Sequence, residues 1–110
     1  MPIQNLADRI ILSHPKFFPP LKGSSAQVLF YGATVISWKS GDKRRPDPSE
    51  RLFVSAKAAV DGSKPVRGGI PVVFPCFGAP THPDHKDLSQ HGFARSETWK
   101  WDSQVMDNDA

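Results

Sequence analysis

The stretch AQVLFYGATVISWKSG, residues 26–41, decides the fold class. β-branched and aromatic side chains dominate both of its halves, the composition that a pleated, half-buried surface favours. In an extended chain Val28 and Phe30 point to one face and Leu29 and Tyr31 to the other. Gly32 lies between the halves and supplies the backbone freedom for a reversal or a bulge. The segment therefore predicts a β-hairpin or a sharply bent pair of strands. Upstream, Ile10, Ile11 and Leu12 mark a strand over Asp8 to Ser13. Pro15, Pro19 and Pro20 then impose an irregular connection around Phe17 and Phe18.

Downstream the pattern is more broken. KSGDKRRPDPSE, residues 39–50, reads as an exposed polar loop, and RLFVS, residues 51–55, as a short strand. Ser55 is placed to cap one helical turn over the alanines that follow, and DGSKP, residues 61–65, signals a turn. GIPVVFPCFG, residues 69–78, is apolar, but Pro71 and Pro75 restrict it to an edge strand or a buried extended loop. Residues 79–88 are loop again. From Glu97 to Val105 the alternation of Trp99 and Trp101 with Thr98, Lys100 and Asp102 predicts a strand with one buried face.

A chain of 110 residues is at most one domain, and one this small buries roughly two-thirds of the surface that it exposes when unfolded. Its composition excludes collagen-like, coiled-coil and wholly disordered classes. Eleven scattered prolines weigh against an all-helical domain, leaving a loop-rich all-β protein. The apolar runs are far shorter than the ~20 residues of a membrane helix. MPIQNLADR does not read as a secretory signal, and the single Cys76 fits a reducing compartment, so a cytoplasmic location is expected.

The net charge of +3 is uneven. Between Lys39 and Arg67 eight bases face four acids, and the rest of the chain is slightly acidic. Such a region attracts phosphate, on a nucleic acid or on a small metabolite. The basic loop lacks interleaved aromatic stacking platforms, which disfavours a nucleic-acid binder. His82 and His85, with Asp87 and His91 nearby, resemble a set of metal ligands, but they fall in a proline-containing loop with no thiolate and read as a solvated loop. Cys76, in its apolar run, reads as a core cysteine.

Two segments are chemically unusual. In DGSKPVRGGIPVVFPCFG, residues 61–78, Arg67 precedes two glycines, an arrangement that aims a guanidinium while a ligand approaches the backbone. In QHGFAR, residues 90–95, an amide, an imidazole and a guanidinium surround Gly92. On residue chemistry alone, structural ion pairs and a ligand site explain these groups equally well.

YGATVISWK, AAVDGSKPVRGGIPVVFPCFG and QHGFAR, taken in order, resemble the hexose-6-phosphate mutarotases, or glucose-6-phosphate 1-epimerases, of the aldose 1-epimerase (galactose mutarotase-like) superfamily. The resemblance runs from about Tyr31 to Trp99. It implies an antiparallel β-sandwich, of which residues 1–110 are the N-terminal portion, with a sugar cleft on one face. It also implies substrate-binding roles for Arg67, Gln90 and Arg95, with His91 in the same cleft as a contact to a sugar hydroxyl or the ring oxygen. Two guanidiniums suit a phosphorylated hexose, whose oxygens match their forked donors. The implied reaction interconverts α and β anomers at C1 by acid/base ring opening, without metal or cofactor. The family's catalytic histidine and glutamate lie downstream of QHGFAR, so no catalytic residue is assigned in this chain. A phosphorylated hexose is the expected partner, with no nucleic acid, membrane or obligate protein partner implied. The rival reading is a non-catalytic sugar-phosphate binding β module, and behind it a binder of anionic surfaces.

Overall fold

The computed structural model describes residues 3–14 and 23–102. Five strands form one antiparallel sheet in sequence order: β1 (Ile3–Asn5), β2 (Arg9–His14), β3 (Ser24–Leu29), β4 (Val35–Ser40) and β5 (Ser49–Glu50). No α-helix occurs among the described residues; the two helical elements are single 3-10 turns, Pro83–His85 and Ala94–Ser96. The expected strand over 8–13 and the expected hairpin are present as β2 and β3–β4. The connection around Phe17 and Phe18 lies outside the described residues.

The register explains why these residues make a sheet. Ile3, Leu12, Ala26 and Trp38 stand side by side across four strands. The next row on the same face holds Asn5, Ile10, Val28 and Val35. The opposite face carries Gln4, Ile11, Gln27 and Ser37 in one row and Ser13, Ser25 and Lys39 in another. One face is thus the more apolar, with His14 and Ser24 at its far end, and the other is mainly polar apart from Ile11 and Leu29, which stands opposite Arg9. On the polar face the Arg9 guanidinium donates to Gln27 Oε1 at 3.1 Å. A register shift between Gln27 and Val28 leaves Ile36 out of the ladder and bends the hairpin near its turn.

The polar loop is shorter than expected, because Lys39 and Ser40 belong to β4 and Ser49–Glu50 pair with them as an edge strand. Asp42 Oδ1 accepts from the backbone N–H groups of Arg44 and Arg45, closing the tip. Glu50 replaces a missing strand partner: its carboxylate accepts from the Ser37 hydroxyl and from the N–H groups of Trp38, Arg51 and Leu52. The strand expected over 51–55 is reduced to an isolated bridge, Val54 to Gly68. Arg51 N–H still donates to Trp38 O at 2.8 Å, and pairing with β4 ends there because the Leu52 N–H turns back to Glu50 Oε1. The helical turn expected at Ser55 is only a turn, with Ser55 Oγ accepting from Lys57 N–H and Ser55 O from Ala58 N–H.

The C-terminal expectation fails in an informative way. Thr98 makes a bridge to Tyr31, but residues 99–102 are in no strand, and Trp99 and Trp101 are 46% and 40% exposed. Alternation is legible in a sequence; the layer that would cover one of its faces is not. Residues 103–105 lie outside the described residues.

Desolvation works against ionisation of Glu50, and the hydrogen bonds from Ser37, Trp38, Leu52 and Arg51 outweigh it, holding its pKa at about 2, below the ordinary 4.5. Because the folded value is depressed, its stabilisation is full above about pH 4.5 and is lost as the pH falls toward 2. Glu50→Gln should lower stability at neutral pH by on the order of 1 kcal/mol, solvent exposure keeping the loss well below the full shift. Denaturant titrations across pH 2–7 should show a shallower acid limb in the variant. Superimposable limbs would mean that Glu50 does not hold this edge.

Candidate functional site

Both unusual segments dock on the turn end of β3–β4. Val35 and Ile70 exchange two backbone hydrogen bonds, 3.0 and 2.9 Å long, which fixes the chain just after Arg67-Gly68-Gly69. Three residues before Val35, Gly32 N–H donates to Glu97 O at 2.7 Å, and five residues before it Phe30 O accepts from Trp99 N–H at 2.8 Å. Those two bonds fix the chain just after QHGFAR. Backbone pairing at residues 30–35 thus anchors both motifs, although 22 positions separate Arg67 from Ser89 at the edge of the second.

The glycines after Arg67 do not leave room for a ligand, as residue chemistry had suggested. A Cβ on Gly68 would collide with the Phe53 carbonyl, and one on Gly69 with the carbonyl of Val35. The protein's own backbone occupies that space. The Arg67 side chain is exposed and makes no hydrogen bond or ion pair with a described residue, while its carbonyl accepts from Ser55 N–H at 2.9 Å. Its guanidinium presents its full set of donors to solvent.

The second motif is a tight knot. His91 stands in the left-handed region at φ 66° and its N–H donates to Gly78 O at 2.8 Å. In return Gly78 N–H donates to His91 Nδ1 at 2.9 Å. Phe77 packs its ring against the imidazole with centroids 4.9 Å apart. Since Nδ1 accepts, the proton of the neutral imidazole sits on Nε2, which leaves His91 one free donor and no free acceptor. The Arg95 Nη2 donates to Gln90 O at 2.9 Å, and Arg95 Nε is buried with no partner. The Gln90 side chain is exposed. Gln90, His91 and Arg95 therefore share one turn, rich in hydrogen-bond donors, whereas Arg67 lies on a separate segment paired with residues 53–55 and with Val35, and no hydrogen bond joins it to that turn among the described residues.

Gly78, Phe77 and the Phe74 carbonyl, which accepts from Phe93 N–H at 3.0 Å, are the supporting residues that sequence reasoning did not single out. Their partners lie thirteen or more positions away, and no local pattern marks such pairs. Cys76 is half-buried instead of buried, and Phe77 beside it is 85% exposed. In the histidine loop His82 Nδ1 accepts from Asp84 N–H at 3.1 Å and caps the 3-10 turn. Among the described residues no three potential ligands converge there.

The aldose 1-epimerase family model matches residues 20–110. The chain belongs to the aldose 1-epimerase family. A protein of Cenchrus ciliaris described as a "putative glucose-6-phosphate 1-epimerase" is 41% identical over 78 residues, covering 71% of this chain and 21% of its own. One of Escherichia coli K12 with the same description is 32% identical over 102 residues, 93% of this chain and 30% of its own. The crystal structure of a mutarotase from Salmonella typhimurium, itself described as putative, superposes with a TM-score of 0.62 at 27% identity, covering 96% of this chain and 32% of that one. The chain thus spans between a fifth and a third of the length of these relatives, and it matches part of the mutarotase fold.

Gly92 stands at φ 78°, and a Cβ there would meet the carbonyl of Phe74. Gly92→Ala should cost about 2–3 kcal/mol in chemical denaturation, combining a forced left-handed alanine with displacement of Phe74. The His91 tautomer has its own check. Long-range proton–nitrogen spectra of the neutral imidazole should show the proton on Nε2, and the reverse pattern would break the Gly78 assignment.

Proposed function

We propose that this chain carries the sugar-phosphate binding part of a hexose-6-phosphate mutarotase, with Arg67, Gln90, His91 and Arg95 as its substrate contacts. The observation that carries this reading is that the two motifs which bear these donors are both paired to the β3–β4 hairpin, with the Arg67 guanidinium free of partners among the described residues, the Arg95 guanidinium half-anchored and the His91 Nε2–H unused. Ionised phosphate and sugar oxygens are acceptors, and forked guanidiniums bind them through paired charge-assisted hydrogen bonds. On this reading His91 donates to a sugar or ring oxygen. It does not remove the C1 proton, because Nδ1 is already occupied.

Ring opening needs a general base at the anomeric hydroxyl and a general acid at the ring oxygen, each within hydrogen-bond reach. Glu50 is unsuited to the first role, since its carboxylate is occupied by Ser37 and three backbone N–H groups. The chain on its own is therefore proposed to bind glucose 6-phosphate without accelerating its anomerisation. The relatives described as glucose-6-phosphate 1-epimerases support the choice of sugar.

Calorimetric titration with glucose 6-phosphate should detect binding that weakens at least tenfold in Arg67→Ala and in Arg95→Ala, each checked for retained fold by circular dichroism. Equal affinity for glucose and glucose 6-phosphate would remove the phosphate from the proposal. Exchange spectroscopy of the two anomers should give the same rate with and without the 110-residue chain. An accelerated rate would show that an acid and base are present after all.

A further inference from the structure

Phe77 is the most exposed large apolar side chain among the described residues, at 85%. A single exposed ring is ordinary by itself; the position of this one is not. Its centroid lies 4.9 Å from that of the His91 imidazole and the two planes meet at 50°, so the imidazole flanks the ring and leaves it open. Gly78, the next residue, holds His91 by two hydrogen bonds, its N–H donating to Nδ1 at 2.9 Å and its O accepting from the His91 N–H at 2.8 Å. Three residues before Phe77, Phe74 O accepts from the N–H groups of Phe93 and Ala94 at 3.0 and 3.4 Å. The backbone on both sides of Phe77 is therefore tied to the QHGFAR turn. Phe74 and Phe93 turn their rings on each other, edge to face with centroids 5.8 Å apart. Phe77 instead presents its ring to solvent beside the unused His91 Nε2–H.

We propose that Phe77 is a stacking platform for the pyranose ring of the sugar phosphate, recognising the sugar where the arginines recognise its charge. The proposal rests on the reading of this chain as a sugar-phosphate binder and adds to it a contact with the ring itself. A pyranose carries hydroxyls round its rim and C–H groups on its faces. The attached oxygens leave those C–H groups slightly positive, and the face of an aromatic ring is negative. A C–H face laid on Phe77 brings the hydroxyl rim toward the His91 Nε2–H, so a single ligand uses both groups. Small-molecule sites combine an apolar surface with a few placed polar groups in this way. The hydrogen bonds from residues 74 and 78 to the turn also set the platform before the ligand arrives. A phenylalanine has only two side-chain torsions to order, so stacking costs little entropy. Inorganic phosphate has no C–H face and makes no use of the ring.

The test is titration of the 110-residue chain and its Phe77→Ala, Phe77→Leu and Phe77→Trp variants with glucose 6-phosphate, glucose and inorganic phosphate, read by calorimetry and by proton NMR of the ligand. Each variant is checked for retained fold by circular dichroism, which the exposed position favours. The ring C–H protons of glucose 6-phosphate should shift upfield on binding, as protons over an aromatic face do. Phe77→Ala should abolish that shift and weaken glucose 6-phosphate binding about tenfold, Phe77→Trp should restore both, and Phe77→Leu should restore neither in full. Affinity for inorganic phosphate should be the same in all four proteins. Equal glucose 6-phosphate affinity with and without the Phe77 ring overturns the proposal and leaves the phosphate reading standing. Loss of phosphate affinity in the same proportion as sugar-phosphate affinity also overturns it, because Phe77 then only supports the His91 turn. Glucose binding that depends on Phe77 and gains nothing from the 6-phosphate supports the ring contact and counts against the phosphate reading alone. Absence of binding by all three ligands overturns both.

Discussion

Backbone pairing at the β3–β4 turn is the constraint on which the rest of the chain depends. Leu29 N–H donates to Thr34 O and closes the hairpin, with Leu29 and Thr34 nearly inaccessible to solvent. The chain before β2 joins there, Phe30 N–H donating to Asp8 O, and residues 70, 97 and 99 attach within five positions. More than half of the described chain is in no strand, so its loops have few partners of their own. They are ordered because the hairpin offers unpaired N–H and C=O groups at its end, and a buried backbone group left unpaired is costly. The hairpin is both the centre of the sheet and the scaffold of the site.

That arrangement explains what the sequence could and could not reveal. Strand alternation over 26–41 is a local property, and β3 and β4 followed it. The strand over 51–55 is cut short because the Leu52 N–H bonds the Glu50 carboxylate and Val54 and Ser55 pair instead with Gly68 and Arg67, and propensity registers neither. The alternation over 97–105 reads as a half-buried strand, yet its tryptophans are half-exposed because burial depends on a second layer. The Arg67 glycines were legible as a close approach, but the approaching group is the Phe53 and Val35 backbone. Arg67, Gln90, His91 and Arg95 were found as residue types in family motifs. The Gly78–His91 exchange that sets the imidazole tautomer joins residues thirteen positions apart, a pairing that no local pattern marks.

The two arginines of the proposed site differ in preorganisation, and this bears on how the chain would bind. Arg95 is tied to Gln90 O through Nη2 and has its Nε buried, so little rotamer freedom remains to be lost on contact with a ligand. Arg67 is exposed with no partner among the described residues, and ordering a free arginine costs about 1–2 kcal/mol of side-chain entropy. In the proposed site the affinity for a sugar phosphate is then limited by Arg67: whatever holds its guanidinium in place before the ligand arrives lowers the entropic cost of closing it on a phosphate.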